Sequence, residues 1–140
     1  MAEPDGAALA RAAEKLIGVH FRPHGRDPTS GLDCVGLVHA SLAAIGRRPV
    51  APIGYALRNW SIERWLGCAA ASGFAPVQGP IERGDVLLMQ ISSVQHHLMI
   101  AASADSVIHA HAGLRRVVSQ PLAGEADLVA HWRLATSLQG

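Results

Sequence analysis

Apolar residues recur along this chain with two different periods, and the change of period divides it. Over residues 7–19, Leu9, Ala12, Ala13, Leu16 and Ile17 fall on one stripe, which predicts an amphipathic helix. From His20 to Gly31 the pattern stops: Pro23, Gly25, Pro28 and Gly31 break regular structure and predict a loop. A second helix is expected from near Asp33, with Val35, Val38, Leu42 and Ile45 at helical spacing and Gly46 at its end. Residues 47–56 read as loop. A third helix is expected within 57–72, where Leu57, Trp60, Trp65 and Leu66 supply apolar surface. The second half reads as strands: 85–91, 97–101, 106–110, 114–118 and 128–134. Helices first and strands afterwards predict a single α+β domain over residues 1–140, with N-terminal helices packed on an antiparallel sheet of about five strands.

Composition narrows the function classes. Apolar residues make up 49% and charged residues 16% of the 140, enough to bury a core without staples. Net charge is +1 and the pI is about 8.0, with Arg47–Arg48 and Arg115–Arg116 the densest basic spots. That footprint predicts no nucleic-acid partner. The start, Met1-Ala2-Glu3-Pro4-Asp5-Gly6, lacks the basic and apolar regions of a secretory signal, so synthesis in the cytoplasm is expected. No apolar run approaches the roughly 20 residues of a membrane span. The two cysteines, Cys34 and Cys68, make no disulfide framework, and Cys68 lies in an apolar run that predicts a small buried hydrophobe.

Cys34 carries the chemical interest. It stands where loop gives way to helix, behind Asp33, a good N-cap type. A cysteine in the first helical turn feels unpaired backbone N–H groups and the positive end of the helix dipole, which lower a thiol pKa. The same N–H groups can donate to a developing oxyanion. Gly36 removes a side chain beside the sulfur. A buried structural cysteine stands beside this reading on position alone.

Eight histidines supply candidate bases. If the strands around 97–101 and 106–110 form a hairpin centred on Ser103, paired positions sum to 206 and His97 faces His109 directly, about 5 Å apart at Cβ. One imidazole would then take the thiol proton and the other would orient it. His111 shares the face of His109 and is expected at the rim. His96 should point the other way, as a structural or partly exposed residue. His20, His24, His39 and His131 have no assigned partner and read as surface or hydrogen-bonded histidines.

These residues resemble the NlpC family of papain-like cysteine peptidases. The nucleophile motif of that family is matched by Gly31-Leu32-Asp33-Cys34-Val35-Gly36-Leu37-Val38, with Val35 where Ser is usual. A Gly-Asp pair before the first long strand is matched by Gly84-Asp85-Val86. The His-x-Gly-Ile strand is matched by His97-Leu98-Met99-Ile100, with Met99 where Gly is usual. The third polar residue is matched in Val107-Ile108-His109-Ala110. The twelve-residue step from His97 to His109 resembles members with a Cys-His-His triad. The resemblance spans roughly residues 9–118.

The resemblance implies an endopeptidase acting on the stem peptide of bacterial cell-wall peptidoglycan. Cys34 would be the nucleophile, His97 the base and then acid, and His109 the orienter, with the Cys34 N–H in the oxyanion hole and no metal or organic cofactor. A tyrosine usual about a dozen residues before the cysteine is replaced by Phe21, with His24 or a backbone group as the substitute donor, and Phe21, His24, Asp33 and His111 are expected in the substrate and oxyanion region. The short form also resembles peptidases of phage tails and gene transfer agents, which implies tail tip or hub proteins as partners and a particle that meets the wall. Three other readings stand beside this one: a non-catalytic tail adaptor, another thiol amidase or acyltransferase, and a zinc site of Cys34, His97 and His109. No short ligand spacing supports the zinc site.

Overall fold

Asp33 caps the second helix of the computed structural model, which describes residues 5–47, 72–92, 95–122 and 127–135. The expected helix within 57–72, with Cys68, lies outside the described residues. Helix α1 covers Asp5–Glu14 and helix α2 covers Cys34–Ala44. Around them run β1 (Arg26–Asp27), β2 (Gly31–Leu32), β3 (Phe74–Pro76), β4 (Val86–Ser92), β5 (Gln95–Ser103), β6 (Ser106–His111), β7 (Arg116–Pro121) and β8 (Leu128–Leu134).

The first helix ends earlier than its stripe predicts. Beyond Glu14 the backbone is captured by β7: Gly18 N–H donates to Val117 O at 2.9 Å, and Val117 N–H donates back to Val19 O at 2.9 Å. Ile17, expected on the buried stripe, is accordingly 45% exposed. The loop before Cys34 is also more ordered than its prolines and glycines suggest, because β1 and β2 pair within it.

Among the described residues the main sheet has six strands in the order β3-β8-β4-β5-β6-β7, every neighbouring pair antiparallel. The extra strand is β3, too short for a period-two pattern to reveal. One face carries Leu88, Leu98, Ile100, Ile108 and Trp132 in a core shared with Leu9 and Ala13 of α1 and Leu37, Val38 and Leu42 of α2. Helix α2 is buried on nearly all sides, which its near-continuous apolar sequence allows. The other face carries Leu87, Met89, Ala101 and Val107 with Ile81, a cluster that draws no residue from either helix.

The Gly84-Asp85 pair ties these layers together. A Cβ on Gly84 would lie 1.9 Å from the carbonyl oxygen of Gly6, and φ is +93° there, so only glycine admits the start of α1 at this point. Asp85 is fully buried and accepts two bonds from Arg133, at 2.8 and 2.9 Å, joining β4 to β8.

The β5–β6 hairpin corrects the expected register. Ile100 pairs with Ile108 and Ala101 with Val107, so paired positions sum to 208 rather than 206. The turn is Ala104–Asp105, tightened by Ser103 Oγ donating to Asp105 Oδ1 at 2.8 Å. A shift of two leaves every side chain on its expected face, whereas a shift of one would not.

Candidate active site

Asp33 builds the Cys34 end of the site. Its carboxylate is fully buried and accepts from Gly36 N–H at 2.8 Å, from His24 N–H at 2.8 Å and from Arg26 at 3.2 Å. The cap thus fixes both the first turn of α2 and the loop lying over it. Gly36 is required by that loop: a Cβ there would meet the carbonyl oxygen of Gly25 at 1.9 Å. Because Asp33 takes the Gly36 N–H, the N–H groups of Cys34 and Val35 are left facing the Cys34 sulfur, joined by that of Leu98 on β5.

The sulfur is nonetheless not a preformed thiolate. Cys34 is buried, and burial first, then the adjacent Asp33 charge, push its thiol up to about 12. The three N–H groups act in the opposite direction and do not outweigh burial. The expected depression of the thiol pKa by the helix start is therefore reversed.

The histidines form the second half. His97 Nε2 and His109 Nδ1 are 2.9 Å apart, with rings edge-to-face and centroids 5.0 Å apart. On the observed register this is a diagonal contact rather than the direct pair expected, and long side chains reach across such diagonals. His109 Nε2 lies 2.6 Å from Gln120 Oε1 on β7. Burial first, then the neighbouring His109 and His111, hold His97 down at about 3, so its ring is neutral at pH 7. His109 is also lowered, chiefly by burial, with the Gln120 bond acting against the shift.

The two halves are adjacent but unjoined. The sulfur sits against the backbone of Leu98, the residue after His97. Leu98 belongs to the helix-side core, while His97 pairs with Met89 of the opposite cluster. No hydrogen bond links Cys34 to His97 among the described residues.

The remaining predicted residues take varied places. His111 lies at the rim, its ring 5.4 Å from His109 and its Nδ1 accepting from Leu114 N–H at 3.0 Å. Phe21 packs partly buried against the helix-side core, and its N–H donates to Arg115 O at 2.9 Å. His24 is exposed, with φ at +60°, and reaches Asp33 through its backbone. Asp33 is a buried cap with no surface toward a substrate. His96 is half-buried, whereas His131 is buried, 3.5 Å from Asp85. Among the described residues, no group of three or more His, Cys, Asp or Glu is placed to hold a metal, so Cys34, His97 and His109 do not form the zinc alternative. No described helix is long and apolar enough to cross a membrane. Gln120 was not foreseen, because the alternating pattern stops at Val118 and the strand continues beyond it.

No family sequence model matches this chain, and no curated protein matches it in sequence. Its fold is nevertheless that of NlpC/P60 domains. NlpC2 from Trichomonas vaginalis superposes with a TM-score of 0.72 at 15% identity, covering 98% of this chain and 49% of that one. The chain thus spans about half the length of that neighbour. The NlpC/p60 domain of the peptidoglycan hydrolase SagA gives a TM-score of 0.62 at 21% identity, covering 96% of this chain and 99% of that one. The peptidoglycan hydrolase RipB from Mycobacterium tuberculosis gives 0.62 at 17% identity, covering 99% and 74%. The α+β class and the helices on an antiparallel sheet are as expected, with six strands in place of five.

Proposed function

We propose that this protein is a peptidoglycan hydrolase, and that it acts as a cysteine endopeptidase on the stem peptide. One observation carries the reading: the first turn of α2 sets the Cys34 sulfur against β5 at Leu98, one residue from His97, which is hydrogen-bonded to His109 at 2.9 Å. The fold neighbours SagA and RipB are named as peptidoglycan hydrolases, which supports the substrate class.

In this reading the thiol and imidazole are both neutral before substrate arrives. The reactive state requires His97 Nδ1 to reach the sulfur while Nε2 keeps its contact with His109. The thiol proton passes to Nδ1 as Sγ attacks the peptide carbonyl, and the oxyanion is met by the first-turn N–H groups. Collapse to a thioester breaks the C–N bond, and the leaving amine takes the proton back from His97. Water then attacks the thioester with His97 again as base, releasing the acid and restoring the thiol. No residue of this cycle needs a metal. Phe21 leaves the oxyanion without a tyrosine hydroxyl, so the helix N–H groups carry that task. Association with a phage tail or phage-like particle, and action at the wall from such a particle, rest on the motif resemblance alone.

The test is digestion of defined muropeptides, read by mass spectrometry, with wild type beside Cys34→Ala. Wild type cleaves a stem-peptide bond and the variant, folded by circular dichroism, does not. An equally active Cys34→Ala protein refutes the mechanism. A second reading, a non-catalytic adaptor of a tail assembly, is favoured by the buried neutral thiol and its missing bond to His97. It predicts no cleavage by either protein.

A further inference from the structure

We propose that Gln120 on β7 is a positioning residue that sets the proton pattern of both histidines and thereby leaves His97 Nδ1 open as a base. The geometry is a chain of two short diagonal contacts, Gln120 Oε1 to His109 Nε2 at 2.6 Å and His109 Nδ1 to His97 Nε2 at 2.9 Å. A neutral imidazole has one donor and one acceptor nitrogen, so fixing one end of the chain fixes the other. Gln120 Oε1 only accepts. His109 must then carry its proton on Nε2 and accept at Nδ1. His97 must carry its proton on Nε2, and its Nδ1 lone pair is free.

The reverse amide orientation gives the opposite result. Gln120 Nε2 would donate, His109 would carry its proton on Nδ1, and His97 would carry its own on Nδ1. His97 could then accept no proton from a thiol at that nitrogen. One side-chain amide, about two positions removed from the chemistry, thus decides whether His97 is a base. Burial of His109, only 6% exposed, keeps water from competing for its nitrogens. The register supports the contact: His109 faces Val118, so Gln120 lies two residues along β7 on the same face. The catalytic consequence rests on the peptidase reading above; the proton pattern does not.

The experiment has two arms. Long-range 1H–15N spectra of the full chain, uniformly labelled, report which nitrogen of each imidazole is protonated. Wild type shows Nε2–H on both His97 and His109. Gln120→Leu, close in volume, gives mixed tautomers on both rings. Gln120→Glu keeps an accepting oxygen and restores the wild-type pattern. The second arm is muropeptide cleavage against pH. Gln120→Leu lowers kcat about ten-fold or more with KM unchanged, since general-base catalysis is worth about 10²–10⁴-fold and Gln120 touches no substrate. Gln120→Glu retains most of kcat, and its carboxylate moves the acid limb up by about one pH unit. The groups facing His109 are His97 from β5, His111 from β6 and residue 120 from β7, so that limb reports the chain as a whole.

A wild-type His97 protonated on Nδ1 overturns the proposal. So do tautomers unmoved by Gln120→Leu. If wild type cleaves no muropeptide while its tautomers are as stated, the peptidase reading has failed and the positioning role of Gln120 stands.

Discussion

The Cys34 half and the histidine half of this candidate site are built by opposite means. Around Cys34 the backbone does the work: a buried carboxylate, Asp33, gathers a helix turn, a loop and an arginine, and the sulfur is sealed in behind them. Around His97 side chains do the work: three of them from three strands hand one hydrogen bond to the next. The first half is therefore a stability element that carries a thiol. The second is a polarised chain that adds little to the core. The difference teaches that, on the proposed peptidase reading, a reactive pair need not be assembled in the free protein. Each half is complete by itself, and in the proposed mechanism the reactive state requires His97 Nδ1 to meet the sulfur.

Alkylation breaks that comparison most directly. With the thiol at about 12, the thiolate fraction at pH 7 is lower than that of an ordinary thiol near 8.5–9 by about 10³-fold. Iodoacetamide should therefore modify Cys34 about a thousand-fold more slowly than a free thiol, in a Cys68→Ala background so that one sulfur reports. The rate should rise with pH through 9 without a plateau. Rapid modification at pH 6, by contrast, would mean that the halves are already joined, with protonated His97 holding a thiolate.

Asp33→Ala sharpens the stability side. It removes the N-cap, the anchor of the His24 N–H and the partner of Arg26 in one change. Cap loss alone costs about 1 kcal/mol, and stranding the buried donors brings the total to about 2–4 kcal/mol, or roughly 10 °C in Tm. Thermal unfolding followed by circular dichroism checks this. A drop of under 2 °C would show that the loop and helix hold together without the carboxylate.

How much of this was legible in sequence follows from the same division. Asp33, Gly36 and the start of α2 were legible because a cap acts within one turn. The faces of His97 and His109 were legible because strand alternation is local. Their register was not, since it depends on the Ala104–Asp105 turn, which shifts the pairing by two. The parity of that error preserved the site. Gln120 and β3 were illegible for different reasons: β7 runs past the alternating pattern, and β3 is three residues held by β8. The raised thiol pKa was the larger miss. Sequence places a cysteine at a helix start, but only packing says how completely it is buried.

The smallest expected effect lies in the acid range and tests the base half. His97 titrates near 3 in the folded protein against about 6.5 in the unfolded chain. Between these values the unfolded chain binds the extra proton, so stability rises with pH there. The His97 contribution is fully present above about 6.5 and is lost as pH falls toward 3. His97→Gln removes the titration while its side-chain amide can still donate to His109 Nδ1. Between pH 7 and pH 5 the wild type should lose about 2 kcal/mol more than this variant, or roughly 6–7 °C in Tm. The His109 contribution, shifted in the same direction by burial, stays in both proteins and cancels in the difference. Parallel Tm curves for the two proteins would mean that the His97 ring is hydrated in solution. The histidine half would then be less closed in solution than its packing implies, and the two halves would differ less than they do here.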